Sequence, residues 1–379
     1  MITRYPPDPY GIKVVDQNGT AQALQVETSA QGSYLHVIAE THGEAVADGL
    51  EPYHHVFRIL GYQAAVPTGG VTASVDLWGS AAASTYVFPA TAMQMKVLAG
   101  NAQDAGSAAY TGTATGGSTT TLIDTGKNFT TLPVVAGDVI LVQFGNVVAI
   151  GIVSVVAATT LTVSPAFTDG VTSPSGYTYT VLDRSAGGTG IQAVAVHYLN
   201  ANYQEKETYM VLSGASPVST VPTDILRVND MHSLCTGKTV IGGGAAAPIY
   251  IADQATGAII YRTILTAFNK SIDAIWTVPA SDPNGRALSA AYMTGWQASS
   301  IKGTGTPVGQ IRLRVTSDED GILPVGTWQQ QDQMLLMNGT QNAKFDPPIK
   351  VPARADMKIT GCSDTAATIQ SGHFEGWYE

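Results

Sequence analysis

The chain is short of charge. Asp, Glu, Lys and Arg make up 13% of its 379 residues, about half the ~25% usual for a globular protein. Nineteen Lys and Arg against 29 Asp and Glu leave a net charge of −10. No basic stripe is therefore available to grip a phosphate backbone, and direct nucleic-acid binding is not expected. Cysteine is nearly absent. Cys235 and Cys362 stand far apart without CxxC spacing, which favours buried free thiols over a disulfide or a thiolate metal site. No apolar run reaches the ~20 residues of a membrane span. The opening MITRYPPDPYG lacks the basic and apolar regions of a signal peptide, so neither membrane nor secretory signal is expected. Helical periodicity is missing too; only residues 280–296 could hide a short helix.

Gly, Ala, Ser and Thr fill the space that charge leaves, beside 44% hydrophobic residues. Polarity carried by hydroxyls suits a β-rich surface largely covered by other protein. In 191–198 apolar residues alternate with Gln192, Ala193, Ala195 and His197, the period of a strand with one buried face. A turn at Asn200-Ala201-Asn202 leads to a second strand at 207–212, and such a hairpin needs a facing sheet. Strands are also expected at 71–78, 86–98, 138–144, 147–156, 160–163, 177–182, 224–231, 248–252, 258–265, 274–278, 287–297, 310–316, 334–338, 349–351 and 356–360. Without helical crossovers these pair antiparallel, predicting an all-β protein with a jelly-roll or β-sandwich body. Residues 1–27 read as an extended arm, because Pro6, Pro7 and Pro9 disfavour helix and sheet interior alike. The body is expected to be discontinuous, 28–107 and 183–280, interrupted at 108–182 by a small inserted β-barrel. Polar, glycine-rich flanks at 99–104 and 183–190 mark the insertion, where added chain costs little. Residues 281–379 supply the last strands, of the same body or of a second jelly roll.

Several segments in order resemble a family of structural proteins from tailed-bacteriophage virions. They are VDLWGSAAASTYVFPATAMQMKVLAGNAQDA, GGTGIQAVAVHYLNANYQEKETYMVLSGASPVST, DILRVNDM, GAIIY and AIWTVPA. The insert, with DTGKNF, GDVI and TTLTV, resembles small β-barrel modules of phage head and tail proteins. The segment VPARADMKITG is similar to the final strands of jelly rolls that trimerise on virions. The resemblance implies a structural role on the virion as a head decoration, collar or fibre component. It implies a homo-oligomer, favouring a trimer, that contacts major capsid, collar or tail proteins. It implies no enzyme and no cofactor.

Candidate sites are sparse. His36, His42, His54 and His55 fit no helical HxxxH spacing, and adjacent His54 and His55 would point to opposite faces of a strand, so no metal site is expected there. Thr236-Gly237-Lys238-Thr239 lacks the upstream glycine of a phosphate loop, and Gly303-Thr304-Gly305 has no βαβ unit around it. Asp318-Glu319-Asp320-Gly321 reads as a solvated turn; a bound cation is the alternative. No GxSxG elbow is present, and no carboxylate pair is singled out. Trp296, Trp328, Trp377 and Tyr378 combine aromatic platforms with nearby amides. They fit core or subunit interface, or else a glycan-binding cleft of a host-recognising fibre. The proline arm offers backbone to a partner's sheet edge as an anchor. A polysaccharide depolymerase is the remaining alternative.

Overall fold

The computed structural model describes residues 55–68, 74–79, 85–168, 170–237, 243–302, 305, 307–316, 328–365 and 367–379, all within the unit Tyr53–Glu379. The proline arm, His36, His42, His54, Lys238-Thr239, Gly303-Thr304 and the acidic turn at 318–321 lie outside the described residues. The described part is all-β and antiparallel, with one short 3-10 turn at Phe129–Thr131 as its only helical element. Residues 280–296 hold no helix: turns lead into the strand Ala290–Ile301, close to the strand expected at 287–297. Ala290–Ile301 buries every second residue over much of its length, so its small residues serve a pleat rather than a helical stripe.

Two sheets make a jelly roll. One orders β1 (His55–Val66), β23 (Thr368–Tyr378), β18 (Ala290–Ile301) and β21 (Gly339–Pro352). The other orders β17 (Ile275–Thr277), β22 (Asp356–Ser363), β19 (Val308–Thr316) and β20 (Trp328–Met337), with β2 (Val75–Asp76) also on β22. Followed along the chain, the strands cross repeatedly from one sheet to the other, only β2/β17 and β19/β20 following each other within a sheet, which is the order of two Greek keys. Phe57, Leu77, Trp276, Met293, Trp296, Ile311, Ile359 and Phe374 form its core. Phe57 stacks on Trp276 with ring centroids 4.4 Å apart.

A second sandwich interrupts this jelly roll between β2 and β17. Its sheets are β12 (Glu205–Val211), β11 (Ile191–Asn200), β14 (Ile225–Thr236), and β13 (Val218–Ser219), β3 (Met95–Ala99), β15 (Ile249–Asp253), β16 (Ile260–Ile264). Met95, Val97, Val194, Val196, Met210, Met231, Ile249 and Ile251 fill the space between them. Residues grouped above as 28–107 are thus shared out: β1 and β2 pair with strands of 281–379, and β3 pairs with β13 and β15.

The insert at 108–182 interrupts the second sandwich in turn. Its seven strands run β4 (Ala108–Thr113), β10 (Thr178–Leu182), β7 (Val139–Phe144), β8 (Val147–Val156), β9 (Thr160–Val163), β6 (Thr121–Ile123), β5 (Gly116–Ser118) around Leu122, Phe129, Ile140, Leu161 and Val181. The ladder is not closed between β4 and β5, so the expected barrel is an open, wrapped sheet. At its base the Asp183 N–H donates to the Ser107 carbonyl at 2.9 Å, bringing the two connections together. Buried Asp104 organises the adjoining loops, accepting from Ile191 N–H and Ala246 N–H at 2.9 Å and Ala247 N–H at 3.0 Å. Gly190 is needed here, since a Cβ would lie 2.1 Å from Asp104 Oδ1.

Candidate functional site

The sheet β12-β11-β14 has two faces because side chains alternate along each strand. Val194, Val196, Met210 and Met231 point into the second core. On the other face the small Ala193 and Ala195, with Tyr209 and Cys235, receive Val139, Leu141, Val148 and Leu182 of the insert. Farther along the same strands the face becomes titratable. His197 on β11 lies opposite Glu207 on β12 and opposite Asp230 on β14, and His232 lies opposite Ala195.

These side chains converge. His197 Nε2 is 3.1 Å from Glu207 Oε1, and the rings of His197 and His232 stack with centroids 5.2 Å apart. One ligand atom from each of His197, Glu207 and His232 fits within a mutual distance of 4.8 Å. The Tyr209 hydroxyl donates to Glu207 Oε2 at 2.6 Å. Asp230 Oδ2 lies 3.5 Å from His232 Nδ1 and 3.3 Å from Lys270 Nζ, while Ser271 Oγ donates to its other oxygen at 2.9 Å. Burial pulls the His197 pKa down, but the bond and charge of Glu207 outweigh it and hold the imidazole above its ordinary range. Glu207 shows the converse: burial raises it, and His197 and Tyr209 bring it below the usual carboxylate range. For Asp230 burial is outweighed by His232, Lys270 and Ser271, and its pKa falls to about 2.

The cluster borders a cleft of about 530 Å³ between this sheet and β1 of the jelly roll, lined among others by Arg58, Glu205, Lys270 and His373. Tyr378 closes one side. Its hydroxyl donates to Glu205 Oε2 at 2.9 Å, and His55 stacks on its ring at 5.0 Å.

The four aromatic residues singled out in the sequence do not meet. Trp296 is 2% exposed, with Nε1 donating to Asp332 Oδ2 at 2.7 Å, so it is a core residue and no platform. Trp377 and Tyr378 are buried on β23, Trp377 stacked on Tyr292 at 5.5 Å. Trp328 borders a cavity of about 450 Å³ shared with Asp76, Tyr86, Arg314 and Thr360. Lys358 Nζ lies over its ring at 4.2 Å. His55 is part of a strand, stacked on Tyr378.

His197, Glu207 and His232 were not singled out in the sequence, where 35 residues separate the two histidines. A signal did exist: His197 and Glu207 stand five residues either side of Asn202 at the turn between β11 and β12, which makes them a cross-strand pair. No protein-family model matches this sequence, and no curated protein matches it significantly.

Proposed function

We propose that this chain is a structural protein of a tailed-bacteriophage virion, a decoration, collar or fibre component that works by self-assembly and adhesion rather than catalysis. The virion assignment rests on the resemblance of its segments, and the jelly-roll strand order is compatible with it, although a fold by itself hosts many functions. The adhesive mechanism rests on one observation. β20 and β21, joined through Asn338, are edge strands of the two jelly-roll sheets, and among the described residues each pairs on one side only. Half of the residues of each are exposed. Leu335 and Met337 are 60% and 70% exposed, and Ile301, Val308 and Ile369 add apolar surface at the same end of the sandwich. An uncovered edge with apolar side chains offers both backbone hydrogen bonds and burial to another chain. A permanent assembly buries more than about 1,600 Å² in total, and low charge keeps desolvation inexpensive. The partners are further copies of this chain, a trimer on the resemblance, and capsid, collar or tail proteins.

Light scattering on the purified protein tests this. The expected result is a trimeric mass for wild type and a single-chain mass for a Leu335→Lys/Met337→Lys variant with unchanged circular dichroism. A wild-type protein that stays monomeric at high concentration overturns the adhesive reading. Trp328 favours a second reading, glycan binding in its cavity. Binding on a glycan array that disappears in Trp328→Ala would select that reading.

A further inference from the structure

We propose that His197, Glu207 and His232 form a binding site for a divalent transition-metal ion of the zinc class, held across the three strands β12, β11 and β14. The donor set is two imidazole nitrogens and one carboxylate oxygen, which suits zinc and its neighbours in the first transition row and not calcium or magnesium. Around an ion with bonds of ~2.0–2.2 Å, neighbouring donors of a tetrahedral site stand roughly 3.3 Å apart. His197 Nε2 and Glu207 Oε1 already lie 3.1 Å apart, and all three donors lie within 4.8 Å.

The surroundings are those of a supported site. Metal-binding imidazoles usually pass their other N–H to a carboxylate, and ligating carboxylates are themselves hydrogen-bonded. Here Asp230 sits at His232 Nδ1, leaving Nε2 for an ion, and Tyr209 holds Glu207 Oε2, leaving Oε1. Asp230 is in turn fixed by Ser271 and Lys270. The ligands come from adjacent strands of one sheet, with His197 on the central strand, so the backbone spacing is set by the ladder. Their side chains are 33%, 27% and 34% exposed, which gives an ion a way in and leaves a fourth position for water or a donor from another molecule. A simple His–Glu ion pair accounts for the His197–Glu207 contact. It does not account for His232 brought alongside with its own carboxylate behind it.

The test uses the full-length protein, stripped with chelator and titrated with Zn²⁺ by calorimetry at neutral pH, and with Co²⁺ by visible absorption. One equivalent of Zn²⁺ per chain, a raised Tm and tetrahedral-type Co²⁺ bands are expected. Glu207→Gln and His232→Ala should each weaken binding at least tenfold, and Tyr209→Phe about tenfold, with His373→Ala as an unaffected control. Circular dichroism of the variants confirms that they fold. Absence of stoichiometric Zn²⁺ binding overturns the proposal, and so does binding that survives both Glu207→Gln and His232→Ala, which would place the ion elsewhere.

Discussion

Arg227 and Arg262 are each 1% exposed, although an unpaired guanidinium is among the costliest groups to bury. Each is compensated at the junction of the two sandwiches. Arg227 Nε is 3.2 Å from Asp356 Oδ1, Nη1 donates to the Pro89 carbonyl at 2.7 Å, and the guanidinium lies over Phe88. Arg262 donates to the carbonyls of Val228, Asp273 and Ile275 and lies 3.4 Å from Asp273 Oδ2. Lys358 Nζ reaches Asp76 Oδ1 at 2.9 Å, so three cations meet three carboxylates. Truncating one member strands its partner. Asp356→Ala should therefore lower stability by about 3–5 kcal/mol, read from urea unfolding; a loss below about 1 kcal/mol would mean that the pair is not buried as described.

Two further outcomes belong to single residues. Burial raises the Asp253 carboxyl, but the N–H groups of Thr256 and Ile259 and the Thr256 hydroxyl outweigh it and hold its pKa well below the usual range. A depressed carboxyl stabilises the fold above its unfolded pKa of ~3.9, and the contribution is lost as pH falls through the folded value. Asp253→Ala should cost about 1–3 kcal/mol at neutral pH, with the gap to wild type narrowing below about pH 4. A gap independent of pH would assign the loss to packing. Cys235 and Cys362 are free and buried, as the sequence led us to expect, and burial pushes the Cys235 thiol up to about 11. Neither should react with a thiol reagent at pH 8 until denaturant is added.

At the scale of strands, legibility follows alternation. β11 shows it, and 191–198 was read closely. β1 was missed because Gly61 and Gln63 occupy two of its buried positions, where an apolar residue would have marked the face. Gly61 is there because backbone passes too close for a side chain: a Cβ would lie 2.4 Å from the Leu77 carbonyl and 2.5 Å from Ala274 N. Gly61→Ala should cost about 1–3 kcal/mol or more with a matching fall in Tm; an unchanged Tm would show that β1 can shift. β20 and β21 were read too short because edge strands carry Gln329, Gln330, Gln331 and Asn342 on exposed positions, and exposure removes the period-2 signal. Pro347 and Pro348 fall where the β18–β21 register slips, so no ladder N–H is lost to them.

Among the described residues the arrangement is two insertions, one inside the other. Each is placed where the chain ends of the inserted part approach. Ala274 N–H bonds the Leu77 carbonyl at 2.9 Å at the outer junction, and Asp183 N–H bonds Ser107 at the inner one. Because the insert has its own core of Leu122, Phe129, Ile140 and Leu161, residues 108–182 expressed alone should fold, with dispersed amide NMR shifts. Collapsed, undispersed spectra would show that it borrows stability from Ala193, Ala195 and Tyr209.

Composition and the period-2 alternation of apolar residues determined the antiparallel all-β class and the strands with one clearly buried face, because both are written in neighbouring residues. Partnership was decided only in three dimensions. Arg58 and His373 touch across 315 residues of sequence, and β1 pairs β23 because the interrupting chain loops out and returns. The buried Arg–Asp junction and the His197–Glu207–His232 cluster arise from register between strands, and register is fixed by the packing of whole sheet faces.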